Sequence, residues 1–228
     1  MLNIRLAGED AVLHPTGALY LPAHQTLLVA DAHFGKAVSF RKLGVPVPRG
    51  TTAGTLAKLD AAIADTGATC IVFLGDFLHS VRSHAAGTLA VLQQWRDDHA
   101  ALALTLVRGN HDDRAGDPPS RLGLTVVDEP LRLGPFALCH HPRPLAGAYV
   151  LAGHWHPCIS VKGRAFERLR LPCFWMGDDS AGLPAQAVGI LPAFGDFTGM
   201  HRIAPRAGDR IFPVAGDVVR ALAPLPGP

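Results

Sequence analysis

Disulfide scaffolding, membrane-length apolar runs and low-complexity segments are all missing from this sequence. Its 228 residues include only four cysteines, Cys70, Cys139, Cys158 and Cys173, with no C-x-x-C pair among them. A chain of this length can bury a core without covalent staples, so these thiols read as reduced, mostly buried side chains of a cytoplasmic protein. No stretch of about 20 apolar residues occurs, so no membrane span is expected. The start, Met1-Leu2-Asn3-Ile4-Arg5, lacks the basic opening and apolar run of a signal peptide. Charge is sparse too: 18% of residues, with a formal net of +2. That neither demands nor excludes nucleic acid, since a basic groove can sit inside a near-neutral total. What remains is an ordinary globular composition, 48% hydrophobic, of a length that fits one domain over 1–228. The type in excess is histidine, with twelve. Imidazole is the commonest transition-metal ligand, so metal chemistry is the first function to test.

Short apolar runs recur along the chain, each ending in a polar cluster. Leu27–Ala30 leads into Asp31-Ala32-His33, and Cys70–Leu74 into Gly75-Asp76. Leu102–Val107 leads into Arg108-Gly109-Asn110-His111-Asp112, Phe136–Cys139 into His140, and Tyr149–Ala152 into Gly153-His154-Trp155-His156. The runs have strand length and no polar alternation, as expected of strands buried on both faces. Between them, Leu56, Leu59 and Ile63 predict a helix over 51–64 capped by Thr51 or Thr52, and Leu89, Leu92 and Trp95 a second over 83–100. Strands alternating with helices imply a layered α/β core, and open α/β sheets place their sites at the carboxyl ends of strands. Pro46 and Pro48 make 41–50 a loop near Asp31. Beyond Pro157, strands are expected at 159–161, 165–171 and 174–175, a second sheet within 157–204, followed by a Pro/Gly-rich tail over 205–228 with loose last residues.

The clusters D-x-H, G-D, G-N-H-D, His140 and G-H-x-H, each after a buried strand, together resemble the calcineurin-like metallophosphoesterases over Asp31–His156. The resemblance implies two packed β-sheets flanked by helices, a four-layer αββα arrangement, holding two divalent ions, Mn²⁺ first, with Fe or Zn as alternatives. It implies that Asp31, His33 and His156 hold one ion, that Asn110, His140 and His154 hold the other, and that Asp76 bridges them. His111 would bind a phosphate oxygen or protonate the leaving group, with His79 and Asp112 as further catalytic candidates; the alternative for Asp112 is to orient the loop or a neighbouring ligand. The chemistry is coherent on its own terms. Two cations about 3.5–4 Å apart need a bridging anion and mixed N/O ligands, and coordination lowers the pKa of a water enough to make it a nucleophile near neutral pH. Glycines 75, 109 and 153 would let the backbone turn tightly beside the ions.

Two positions depart from the pattern. His79 stands where many relatives carry a carboxylate that orients the G-N-H histidine, and His141 follows His140 where relatives often have glycine, so either histidine could be the ligand. The run Gly75–Arg82 is similar to the SbcD nuclease branch. The segment Phe34–Gly50 and Leu191-Pro192-Ala193-Phe194-Gly195 are similar to the bacterial DNA-ligase-associated metallophosphoesterases. That likeness implies a DNA substrate and a repair setting with a DNA ligase and a helicase. Lys36, Arg41 and Arg82 are candidate phosphate contacts, and Lys42, Arg49, Arg114 and Arg143 could help line a basic groove. A solvated loop charge is an equally ordinary role for each.

Other readings stand beside this one. The rivals are a phosphatase or phosphodiesterase for a small nucleotide or a lipid precursor, and a non-catalytic scaffold that keeps metals for structure. A structural zinc site is disfavoured because such sites prefer closed, cysteine-rich tetrahedra. His14, His24, His84, His99 and His201 read as surface or core histidines, and Trp155, between two ligand candidates, as a packing residue ahead of a base-stacking one.

Overall fold

The computed structural model describes residues 1–47, 50–162, 168–178 and 187–222. Arg49, the first part of the expected strand at 165–171 and the final tail residues lie outside them. One sheet follows sequence order: β1 (Leu2–Leu6), β2 (Glu9–Leu13), β3 (Leu19–Leu21), β4 (Thr26–Ala30), β5 (Cys70–Leu74), β6 (Ala103–Val107) and β7 (Leu124–Val127). The strands are antiparallel up to β4 and parallel from β4 to β7. The second sheet contains β8 (Leu131–Leu133), β9 (Phe136–Leu138), β10 (Tyr149–Ala152), β11 (Pro157–Lys162), β12 (Arg168–Met176), β13 (Val188–Ile190), β14 (His201–Arg202), β15 (Arg210–Ala215) and β16 (Val218–Val219). Its order is β14-β11-β12-β13-β10-β9-β8, with β15 and β16 attached through β12. The helices are α1 (Lys36–Lys42), α2 (Thr51–Thr66), α3 (Ala86–Asp98) and α4 (Asn110–Ala115).

The missing polar alternation of the central runs now has its cause. Leu27, Val29, Ile71, Phe73, Leu104 and Leu106 pack beneath Leu56, Leu59, Leu89, Leu92 and Trp95 of α2 and α3. The intervening Leu28, Ala30, Val72, Leu74 and Val107 meet Phe136, Leu138, Tyr149, Leu151, Phe174 and Met176 of the second sheet. Each fully buried side chain of this size contributes roughly 1.5–3 kcal/mol, so both faces of the central strands hold the sandwich together. The chain is thus an α/β fold of two packed mixed sheets flanked by helices. α2 and α3 cover the outer face of the first sheet. On the outer face of the second, the described residues place the loop carrying Leu145 and Ala148 against Ala137, Val150 and Ala152.

Three local expectations change. Residues 36–42 form α1, so the expected loop at 41–50 begins only after Lys42, where Gly44, left-handed at φ 77°, turns the chain out of the helix. Neither Thr51 nor Thr52 caps α2: both lie in its first turn, and Gly50, left-handed at φ 82°, holds the cap position. The strands expected on either side of Pro172 are one strand, β12. It pairs with β11 up to Pro172 and with β15 from Cys173 onward, so the residue lacking an N–H falls where the partner changes. Among the described residues no helix is long and apolar enough to cross a membrane.

Candidate metal centre

All five polar clusters come together where the two sheets' parallel strands end. The first sheet delivers Asp31 and His33 after β4, Asp76 after β5, and Asn110 and His111 after β6. The second delivers His140 after β9, and His154 and His156 between β10 and β11. The loops that carry them are knitted together. His33 N–H donates to Asp76 O at 2.8 Å, and Phe34 N–H to Phe77 O at 2.8 Å. Across the sheets, His154 N–H donates to Asp31 Oδ2 at 2.8 Å, and His140 Nδ1 lies 3.1 Å from Leu74 O. Among the described residues seven non-glycine residues have positive φ, and five of them are Asp31, His33, Asp76, His154 and His156. Left-handed backbone at such residues costs of order 1–3 kcal/mol each, so its concentration here marks a site whose surroundings enforce an unfavourable conformation.

Ligand atoms of Asp31, His33 and His156 lie within 4.8 Å of one another, and so do those of Asp31, Asp76 and His140. Nε2 of His140 lies 2.9 Å from Asn110 Oδ1, 3.0 Å from His154 Nδ1 and 3.4 Å from Asp76 Oδ1. Because His140 Nδ1–H donates to the Leu74 carbonyl, its Nε2 presents a lone pair, and that lone pair faces other acceptors. Asp31 Oδ1 is buried and accepts no hydrogen bond among the described residues, although His156 Nε2 and His140 Nδ1 stand 3.6 and 3.8 Å away. His156 Nδ1 lies 3.1 Å from Gly199 O, which likewise turns its Nε2 lone pair inward. Lone pairs converging on an orphaned buried carboxylate oxygen are what a divalent cation satisfies, so the donor set fits a divalent metal site.

Electrostatics agrees with that fit. Burial holds the pKa values of His33, His140 and His154 below the ordinary imidazole value, so their lone pairs are available at neutral pH. Burial, and then the neighbouring Asp31, push the Asp76 carboxyl up, since two shielded carboxylates this close resist ionising together. The three glycines are required by close approach. A Cβ on Gly75 would lie 2.1 Å from His140 Nδ1, one on Gly109 2.5 Å from Asp76 N, and one on Gly153 2.6 Å from Asp31 Oδ2. Only Gly75 of these combines that crowding with a left-handed φ, 75°.

The remaining candidates take distinct places. His111 Nδ1 lies 2.7 Å from the carbonyl of His79, so a backbone oxygen orients it in place of the missing carboxylate. The His79 ring stacks on His111 with centroids 4.8 Å apart, and its Nδ1 lies 3.4 Å from His33 Nδ1. Asp112 is buried, and its two oxygens accept N–H groups from Leu78 and Gly109; burial raises its pKa to about 6. Those two hydrogen bonds tie the β5 and β6 loops to each other. Lys36 is half-buried and close enough for Asp31 and Asp76 to oppose the lowering of its pKa by burial. Arg41 and Arg82 are exposed, one in the last turn of α1 and the other in the turn Val81–His84. Lys42 and Arg114 are also exposed, and Arg143 Nη2 lies 3.7 Å from Glu129 Oε1.

Glu129 is what the sequence reading missed, and the exposure of Trp155 departs from its packing reading. The Glu129 carboxylate accepts the N–H groups of both His140 and His141 and lies 3.1 Å from His141 Nδ1. His141 Nδ1 is thereby held on Glu129, yet ligand atoms of His140, His141 and His154 lie within 4.8 Å of one another, so both histidines stand at the cluster. No spacing marks Glu129, which touches the site only through tertiary packing. Trp155 is 45% exposed and lies beside the centre instead of filling a core. Leu191–Gly195 runs behind Asp31, with Phe194 N–H donating to Ala30 O at 2.8 Å and Gly195 N–H to Asp31 O at 3.2 Å.

Fold and donor set together define a metal-dependent phosphoric ester hydrolase. The crystal structure of the nuclease MPE of Pseudomonas putida is similar at 42% sequence identity and a TM-score of 0.82, covering 97% of this chain and 99% of that one. The chain belongs to the metallophosphoesterase family. A phosphoesterase of E. coli, Yfce, is similar over 87% of this chain and 92% of its own at 13% identity and a TM-score of 0.39, too remote to bear on function. No protein-family model and no curated protein sequence matches the chain.

Proposed function

We propose that this protein is a dinuclear metal-dependent phosphodiesterase that cleaves DNA. The observation that carries the reading is Asp76, which lies between two ligand sets. Its Oδ1 is on the side of His140, 3.4 Å away, and its Oδ2 on the side of His33, 3.7 Å away. Asp31, His33 and His156 would hold one ion and Asn110, His140 and His154 the other, with Mn²⁺ suited to the oxygen-rich mixed set and Fe or Zn as alternatives. Ions bound there supply a low-pKa water as nucleophile and neutralise charge gathering at phosphorus. The chain's own residues do the rest. His111, oriented through Nδ1 by the His79 carbonyl, presents Nε2 to protonate the leaving oxygen. Lys36 adds positive charge beside the phosphate. Asp112 keeps the loops carrying Asp76 and Asn110 in mutual register.

The DNA substrate is supported by 42% identity to the nuclease MPE of Pseudomonas putida. A repair setting with a DNA ligase and a helicase, implied by the sequence resemblance, belongs to the same proposal. The test is hydrolysis by Mn²⁺-loaded protein of bis-p-nitrophenyl phosphate, p-nitrophenyl phosphate, and single- and double-stranded DNA, with Asp76→Ala as control. Cleavage of the diester and of DNA, lost in the variant, is expected. Monoester-only turnover would replace this reading with a small-molecule phosphatase, and no turnover with metals bound would make the chain a scaffold.

A further inference from the structure

An open cleft of roughly 560 Å³ adjoins the metal centre, lined by His154, Trp155, Trp175, His201, Arg202 and Ile203. His154 belongs both to this cleft and to the ligand set of His140. The two indoles stand 5.9 Å apart between centroids, inclined by 39°. They differ in freedom. Trp175 is half-buried and its Nε1–H donates to Asp209 at 2.7 Å, so its plane is fixed. Trp155 is 45% exposed. The far wall is tied to the site, because His201 N–H donates to His156 O at 2.9 Å and β14 pairs with β11. Exposed Arg202 adds positive charge.

We propose that this cleft is a nucleobase subsite: a base of the substrate stacks on Trp155, which Trp175 backs, while Arg202 meets a flanking phosphate. An exposed tryptophan backed by a pinned one is a sequence-tolerant platform for a base, and an adjacent arginine suits a polynucleotide backbone better than a lipid or a neutral peptide. Sandwiching a base between the rings would need about 7 Å, two contact distances of about 3.5 Å. At 5.9 Å the rings are too close for that, so the base adds as an outer layer on Trp155. Stacking there removes the base from a duplex stack and seats its phosphate next to His154. The proposal rests on the phosphodiesterase reading and extends it from the metal ligands to the groups that select the substrate.

The test compares thymidine 5′-(p-nitrophenyl phosphate) with methyl p-nitrophenyl phosphate, which share leaving group and scissile bond and differ in the nucleoside. The ratio of their kcat/KM values falls roughly 5- to 150-fold in Trp155→Ala, mainly through the KM of the nucleoside ester, and Trp155→Phe restores part of it. A ratio equal to that of the wild type, including an equal loss on both substrates, overturns the proposal, because Trp155 would then act only by placing His154 and His156. A second measurement needs no variant. Mn²⁺-loaded wild-type protein is titrated with phosphorothioate oligothymidylate and with its abasic counterpart; tighter binding of the base-bearing strand is expected, and equal binding overturns the subsite. If the wild type hydrolyses neither ester, the phosphodiesterase reading fails, while the binding comparison still decides the cleft.

Discussion

Replacing Asp76 with asparagine should move stability in opposite directions with and without metal. In the metal-free protein, ligand atoms of Asp31 and Asp76 lie within 4.8 Å of each other. At an effective dielectric of about 20, two charges at that separation repel by about 3.5 kcal/mol. Burial and this neighbour are what push the Asp76 carboxyl up. Asp76→Asn removes the charge but keeps an Oδ1 that can accept the His111 N–H, now 2.9 Å away. The metal-free variant should therefore melt above the metal-free wild type. The gain is on the order of 3.5 kcal/mol, at roughly 2–4 °C per kcal/mol for a chain of this size. With Mn²⁺ the order reverses. Ligand at about 100 times Kd stabilises a native state by about 2.7 kcal/mol per site, and the variant, lacking the shared anion, loses most of that shift. Diester hydrolysis should fall by at least about 10²-fold, the scale of losing one preorganised electrostatic element. Thermal melts of both proteins in EDTA and in Mn²⁺ read the crossing directly. A metal-free variant less stable than wild type, with the Mn²⁺ shift intact, would refute a cation shared through Asp76.

Three further outcomes are expected. His111→Ala should lower kcat by about 10²–10⁴ while metal content, measured by mass spectrometry of the dialysed protein, stays at the wild-type level; loss of an ion would make His111 a ligand. Gly75→Ala places a methyl 2.1 Å from His140 Nδ1. It should displace that ring from Leu74 O and weaken metal binding at least about 10- to 100-fold in a metal titration, and unchanged affinity would show that His140 is not where the ion binds. Acidification should destabilise the metal-free protein. Burial, and then Lys36, lower the His79 pKa from 6.5 to about 4, so the unfolded chain takes up a proton that the folded one refuses, and stability falls as pH drops through that window. The lowered His33, His140 and His154 act in the same direction. Asp112, raised to about 6, and Asp76, also raised, act oppositely, but they are two groups against four. Melts in EDTA at pH 7.5 and pH 5 check the sign, and equal or greater stability at pH 5 would contradict it.

The strand-end clusters were legible because they combine two signals that local sequence carries. Apolar runs without alternation report burial on both faces, and each run stops at a polar ligand type. The helices over 51–66 and 86–98 were legible from the spacing of Leu56, Leu59, Leu89 and Leu92. What stayed hidden depends on contacts between distant segments. Glu129 reaches His140 and His141 from 11 and 12 residues away, and nothing in its neighbourhood announces that it will. The orientation of His111 was obscured because a backbone carbonyl, that of His79, does the orienting, and a carbonyl leaves no trace in residue type. Trp155 reads as a packing residue from composition alone, since tryptophan is costly to expose. Only the placement of β14 and Trp175 beside it shows that it opens onto a cleft.

The centre draws its donors from two separate leaves, with Asp31, His33, Asp76 and Asn110 on one and His140, His154 and His156 on the other. A cation bound there is consequently a hasp between the leaves as well as a reagent. Its release and the parting of the sandwich at that end lie along one coordinate, so any load that slides one leaf over the other changes the spacing of the ligands first. Such a protein cannot finish its catalytic centre before its two halves have docked, and the last step of its maturation is the one that closes the book.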